Sequence, residues 1–279
     1  MTPADIEDGL RLCRLSRWDQ VARDWQRFLM PGDSGATAAV RDDRVVGTSA
    51  RIRYGDRFGW IGMVLVDPDA QGQGLGASLL ESSLDALHDL PVRLDATPAG
   101  YPLYLKQRFA EESRLRRMER RSEWPRGTGA APQAAAGIDR MTRTDLPEIA
   151  AMDLHAFGAP RITLLEWMLE GAPEDAWIAR RNGQLAGYLF GRHGFEYAHL
   201  GPIVAHDSAV AVQLTAASLS HDMDRAIIID AACHDEPWLH FLEHAGFREQ
   251  RPFIRMHRGG RQPFGELRHQ FAMLGPEFG

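Results

Sequence analysis

The sequence predicts an α/β fold, a mixed sheet flanked by helices, present twice in tandem. Two observations carry that expectation. The apolar strand Val64-Leu65-Val66 runs through a turn into three glycines at alternate positions and then into a helix, and a faint copy of the first half returns roughly 140 residues later.

The helix after the glycines is marked by Leu75, Leu79, Leu80, Leu84 and Leu87, which recur at three- and four-residue intervals. Ala77 and Ala86 add helix propensity. A helix that begins at a glycine turn aims unpaired N–H groups and its positive dipole end at an anion, so Gln71-Gly72-Gln73-Gly74-Leu75-Gly76 reads as a phosphate cradle. A P-loop would need Gly-Lys-Ser/Thr, and no lysine follows any of these glycines. A dinucleotide fingerprint would accommodate Asp95 as the ribose-binding acid, but the spacing here is Gly-x-Gly-x-Gly and Asp67-Pro68-Asp69-Ala70-Gln71 separates strand from glycines.

The loop instead resembles the Gln/Arg-x-x-Gly-x-Gly/Ala pyrophosphate loop of the Gcn5-related N-acetyltransferases (GNAT), which Gln71–Gly76 matches at every defined position. Val64–Pro68 is similar to that family's fourth strand and its Val-x-Pro exit. Tyr104, five residues before Phe109, resembles its Leu-Tyr-x-x-x-Gly-Phe, with Arg108 at the usual glycine. The resemblance implies a mostly antiparallel sheet with one splayed parallel strand pair. It implies acetyl-CoA as co-substrate, with the backbone of Val64, Leu65 and Val66 holding the pantetheine arm and Gln71, Gly72, Gln73, Gly74, Leu75, Gly76 and Ala77 around the pyrophosphate.

Composition bounds the alternatives. The 279 residues exceed the usual length of one domain, and 44% hydrophobic with 25% charged residues is ordinary for a globular chain. No apolar run is long enough to span a bilayer and the N-terminus reads as no export signal, so the expectation is a cytoplasmic protein without a membrane partner. Lys106 is the only lysine, the net charge is −6, and the arginines from Arg114 to Arg121 alternate with Glu119 nearby, which argues against a nucleic-acid partner. Cys13 and Cys233 lie far apart with no ligand spacing, and His234, His240 and His244 lack an HExxH frame, so no metal site is expected.

The repeat sets the domain plan. Val40–Gly47 matches Ala179–Gly187, with Asn182-Gly183 as a two-residue hairpin signal. Trp60–Val66 matches Ala198–Val204, and Leu94-Asp95-Ala96 matches Ile229-Asp230-Ala231. Phe109 with Arg117-Met118 matches Phe247 with Arg255-Met256. The second half has no glycine after Val204 and carries Leu242 where Tyr104 stands, so it is expected to have lost the cofactor loop. Thr2–Ile6 and Thr144–Pro147 read as equivalent helix starts. The expected plan is an N-terminal domain over 1–124, a Pro/Gly/Ala-rich linker over 125–137, a degenerate C-terminal domain over 138–265 and a tail over 266–279.

As the resemblance implies, the chemistry would be acetyl transfer to an amine. Tyr104 is the candidate acid for the leaving thiolate and Asp95, at a strand end, the candidate base or a turn cap. Trp18 and Trp25 are candidate acceptor-pocket residues, and so are His234 and Glu236, which replace the loop Thr97–Gly100 in the second copy. The expected function is an acetyl-CoA-dependent N-acetyltransferase for a small-molecule amine, acting as monomer or homodimer. A non-catalytic acyl-CoA-binding regulator and a protein or peptide acetyltransferase are the alternatives.

Overall fold

The computed structural model describes residues 1–124, 137–221, 225–260 and 264–279. The expected linker, 125–137, lies outside the described residues except for Gly137. The chain forms two compact units. Unit 1 takes Met1–Glu112, Arg255–Gly260 and Pro276–Gly279, and unit 2 takes Ser113–Ile254 and Arg261–Gly275. No helix among the described residues is long and apolar enough to cross a membrane.

Unit 1 begins with helices α1 (Ile6–Leu15) and α2 (Ala22–Leu29), followed by β1 (Ser34–Arg41), β2 (Arg44–Tyr54) and β3 (Phe58–Val66). Helix α3 (Leu75–Ala86), β4 (Val92–Ala96) and α4 (Tyr101–Lys106) come next, and β5 (Ala110–Arg120) starts here and continues into unit 2. β1, β2 and β3 pair antiparallel, and β3 pairs parallel with β4 only at Gly59↔Val92 and Trp60↔Arg93. Beyond those two rungs the parallel strands separate. The α3 stripe is buried as its spacing predicts, with Leu79, Leu80, Leu84 and Leu87 all below a tenth exposed.

Unit 2 repeats this order with β6 (Ile138–Arg140), α5 (Leu146–Phe157), α6 (Ile162–Gly171), β7 (Trp177–Arg181), β8 (Gln184–His193) and β9 (Ala198–Ala205). It continues with α7 (Ser208–His221), β10 (Ile227–Ala232), α8 (Glu236–His244), β11 (Arg248–Arg258) and β12 (Gln270–Met273). Its sheet runs β11-β5-β10-β12-β9-β8-β7-β6. Leu189, Leu200, Ile203, Val210, Leu214, Ile229, Trp238 and Phe271 form its core.

The duplication is visible in backbone detail. Thr2 and Asp5 form a capping box that Thr142 and Asp145 reproduce. β1/β2 and β7/β8 each carry a register shift at the same place, after Ala39 and after Ala179. β5 and β11 show the same sequence of buried and exposed positions. The ladders also correct the alignment: Thr48↔Leu65 and Tyr188↔Val204 are equivalent rungs, so Trp60 corresponds to His199, one residue later than the apolar run alone indicates.

Two expected boundaries change. The division falls at Glu112/Ser113, inside β5, because the later part of that strand pairs with β10, Met118 opposite Ile229. Reciprocally, β11 passes into unit 1 from Arg255 and lies beside β4. The expected tail 266–279 is structural. β12 is a sheet strand of unit 2, and in unit 1 Phe278 stacks on Phe28 at 4.9 Å while Trp60 Nε1 donates to the Pro276 carbonyl (3.0 Å) and Tyr54 Oη to the Phe278 carbonyl (2.6 Å).

Candidate active site

The cradle is built by β3, the turn after it and the first turn of α3. Arg11 donates to Asp67 Oδ2 (2.6 Å), Asp67 Oδ1 accepts from the Asp69 amide (3.2 Å), and Gln71 Nε2 donates to the Val66 carbonyl (3.1 Å). These bonds fix the strand exit, and the Arg11 hydrogen bond also holds the Asp67 carboxyl below its usual range. Gly72 and Gly74 then adopt φ of +75° and +82°, a left-handed backbone that favours glycine. A Cβ at either would meet no atom within 4 Å, so the space above both is open for a ligand. At Gly76 a Cβ would make only ordinary contacts, consistent with the Gly/Ala choice at that motif position.

The amides of Gly72, Gln73, Gly74, Leu75, Gly76 and Ala77 donate no hydrogen bond among the described residues, the first paired amide being that of Ser78, to the Gly74 carbonyl. Six free N–H groups at a helix start are an arrangement that favours an anion. Upstream, β3 bulges at Met63, whose φ is +54°, and its edge beyond Trp60 has no strand partner on the β4 side among the described residues. Val64, Leu65 and Val66 lie on this edge, the kind of edge to which an extended ligand adds as a strand.

Tyr104 lies in α4 with its ring edge-on to Phe109 at 5.9 Å and tucked under Gly100. Its hydroxyl makes no hydrogen bond among the described residues, and burial pushes the phenol up from 10 to about 12. Arg108, at the usual glycine of the motif, takes φ +64° and keeps the turn. The Phe109 amide reaches the Tyr104 carbonyl at 3.0 Å, just as the Phe247 amide reaches Leu242 at 3.0 Å beyond Gly246.

The second copy has closed the same places. β9 and β10 also begin as a parallel pair at Ala198↔Ile227 and His199↔Ile228, but β12 enters the splay, pairing Gln270 and Ala272 with β9 and Ala272 and Met273 with β10. At the helix start, Asp207 accepts from the Val210 amide (2.9 Å) where unit 1 has its glycines. A carboxylate and a strand occupy what would be phosphate and pantetheine positions.

The first copy, residues 6–106, matches the model of the acetyltransferase (GNAT) family, and the second, residues 149–272, matches the model of the acetyltransferase (GNAT) domain. The chain belongs to the GNAT superfamily. It is a tandem GNAT protein and an acyltransferase of the N-acetyltransferase type, in a family that generally uses acetyl-CoA. Among its relatives, it is 26% identical over 267 residues to the holothin acyltransferase of Pseudoalteromonas sp. (strain SANK 73390), covering 94% of this chain and 87% of that one. It is 28% identical over 207 residues to the uncharacterized N-acetyltransferase YitH of Bacillus subtilis, covering 74% and 71%. A candidate acetyltransferase from Pyrococcus horikoshii has the same fold, with a TM-score of 0.79 over 100% of this chain and 94% of that one at 22% identity.

Within this tandem GNAT frame, two expected site residues are structural. Asp95, the candidate base or turn cap, is held in a buried ion pair, both its oxygens accepting from Arg255 at 2.8 Å. The second copy, which lacks the cradle, keeps the same pair as Asp230 with Arg117, also at 2.8 Å. There burial works to raise the aspartate, and Arg117 with His199 overcomes it, holding Asp230 far below the usual range. A feature common to a copy with a cradle and one without belongs to the architecture. Trp25 is likewise core, fully buried against Phe28 at 6.3 Å and pressed on Gly9, so it lines no open pocket.

Trp18 is half-buried in the α1–α2 connection. His234 and Glu236 belong to unit 2, at the β10–α8 turn, where His234 Nε2 lies 3.1 Å from the Arg268 carbonyl and Asp235 caps α8 through the Trp238 amide at 2.8 Å. The His240 and His244 rings lie 3.9 Å apart at a tilt of 44°, and no group of three or more His, Cys, Asp or Glu among the described residues is placed to hold a metal ion. Sequence reasoning missed the segment Pro276–Phe278, which covers Trp60 and Gly62 in unit 1. A Cβ on Gly62 would come within 2.6 Å of Glu277 Cα, so the glycine, set in an otherwise apolar strand, was the available signal.

Proposed function

We propose that the chain transfers an acetyl group from acetyl-CoA to the primary amine of a small molecule, by direct transfer in a ternary complex on unit 1. The observation that carries this reading is the conjunction of six free amides at the start of α3 with an unpartnered β3 edge leading to them. That edge holds the pantetheine arm through Val64–Val66, while the loop from Gln71 to Ala77 takes the pyrophosphate. Tyr104 protonates the departing thiolate, since its buried phenol stays a neutral acid throughout the physiological range. The ammonium proton of the acceptor goes to a group other than Asp95, whose carboxylate is locked in a buried bidentate ion pair with Arg255.

A small-molecule acceptor is supported by a relative covering most of both chains whose name gives a single compound, holothin, as what is acylated. An internal pool of acetyl-CoA fits a cytoplasmic place of action. The test is an acetyl-CoA-dependent thiol-release screen over amino acids, polyamines, aminoglycosides and peptides. Release with one metabolite class supports the reading, whereas release only with peptides transfers the chain to the protein-acetylating class. No release with any acceptor, beside intact acetyl-CoA binding, identifies a non-catalytic acyl-CoA-binding regulator.

A further inference from the structure

Unit 2 contains a cavity of about 310 Å³ between α5, the start of β8 and the end of β9. Glu148, Leu185, His206 and Glu266 line it, and Met152 and Val204 are among its apolar lining residues. No lysine or arginine is among its lining residues.

Unit 1 shows what the equivalent position holds when it is filled. Two backbone bonds fix the correspondence. The Val45 amide donates to Asp8 (3.1 Å) as the Leu185 amide donates to Glu148 (3.2 Å), and the Asp67 amide donates to the Val46 carbonyl (2.9 Å) as the His206 amide donates to Ala186 (2.9 Å). Asp8, Val45 and Asp67 thus match Glu148, Leu185 and His206. In unit 1 these three surround one guanidinium: Arg11 donates through Nε to Asp8 (3.0 Å), through Nη1 to Asp67 (2.6 Å) and through Nη2 to the Val45 carbonyl (2.6 Å). Arg11 stands three residues after Asp8, and three residues after Glu148 stands Ala151. The second copy keeps the acid and the strand carbonyl, has His206 in place of Asp67, and lacks the arginine that occupied the space.

We propose that this cavity is a binding site for a guanidinium-bearing organic cation, which takes the place of the missing arginine. Its head lies against Glu148, the Leu185 carbonyl and His206, whose imidazole replaces the Asp67 carboxylate as acceptor, and its alkyl part lies on Met152 and Val204. Arg180 reaches Glu148 Oε2 from outside the cavity at 2.8 Å and Arg268 does the same to Glu266, also at 2.8 Å. A carboxylate has about four lone-pair positions, so both acids retain capacity toward the cavity. This site is separate from the acyl-transfer reading and does not rest on it.

Calorimetric titration of the intact chain with ethylguanidinium, which carries no primary amine to be acetylated, tests the proposal. One site per chain is expected. Affinity should fall at least about tenfold in Glu148→Gln, the size of one lost charge-assisted hydrogen bond, and Ala151→Arg should abolish binding by supplying the guanidinium from within. Because Ala151 is exposed on α5, that variant folds, and its Tm should exceed that of the parent. Absence of binding to the parent chain, or undiminished binding in Ala151→Arg, overturns the proposal. Gly74→Glu, which blocks the unit 1 cradle, should leave ethylguanidinium binding unchanged, and its loss there would also overturn the assignment to unit 2.

Discussion

Tyr104, by its motif spacing, and Asp95, by its place at a strand end, are both candidates for proton transfer, and their surroundings separate them. The tyrosine hydroxyl has no competing partner among the described residues, while the aspartate spends both oxygens on a buried arginine. Tyr104→Phe is therefore expected to lower kcat by about 10²–10⁴-fold with acetyl-CoA affinity retained, as steady-state kinetics beside calorimetry would read. Because burial raises the folded phenol from 10 to about 12, its stabilising contribution is whole below pH 10 and is lost as the pH rises toward 12. An alkaline titration of stability should accordingly fall less steeply across that window in Tyr104→Phe. Asp95→Ala should instead cost roughly 3–5 kcal/mol of folding stability by stranding Arg255, measured by denaturant unfolding, with turnover per folded molecule preserved. A hundredfold loss of turnover at unchanged stability would restore the aspartate to the chemistry. Arg108 held at φ +64° predicts that Arg108→Gly gains roughly 1 kcal/mol in the same unfolding assay.

At the scale of elements, legibility followed locality. The α3 stripe, the glycine turn and the Asn182-Gly183 hairpin depend on residues a few positions apart, and each appears where its spacing placed it, whereas the second helix start is capped from Thr142, two residues before the expected Thr144. What the sequence left unread involves partners far along the chain. Asp95 and Arg255 are 160 residues apart, yet the matched spacing from Phe109 to Arg117 and from Phe247 to Arg255 already marked both arginines as one recurring position. β12 has four residues and no alternation of its own, so only its neighbours in the splay define it as a strand. The one-residue slip between Trp60 and His199 has a similar origin, since an apolar run buried on both faces carries no period and the ladder to the adjacent strand alone sets register. The segment around Phe278 read as a tail because its partners, Phe28, Tyr54 and Trp60, lie more than 200 positions earlier. Phe278→Ala should lower stability by about 3 kcal/mol, visible as a reduced denaturant midpoint, through loss of the stacked contact with Phe28.

For the whole molecule, duplication followed by division of labour explains why two similar copies differ where they do. β5 and β11 each cross the boundary between the units, and β4 and Asp95 in unit 1 rely on Arg255 from the far end of the chain. A fragment ending near Gly129 should therefore fail to show a cooperative unfolding transition. In the second copy β12 fills the splay and Asp207 caps the helix start. The central claim is that only the first copy holds acetyl-CoA, and calorimetric titration of the full chain tests it most directly. One site per chain, abolished by Gly74→Glu in a protein that remains folded, is the predicted result. Two sites, or one site indifferent to Gly74→Glu, would contradict it.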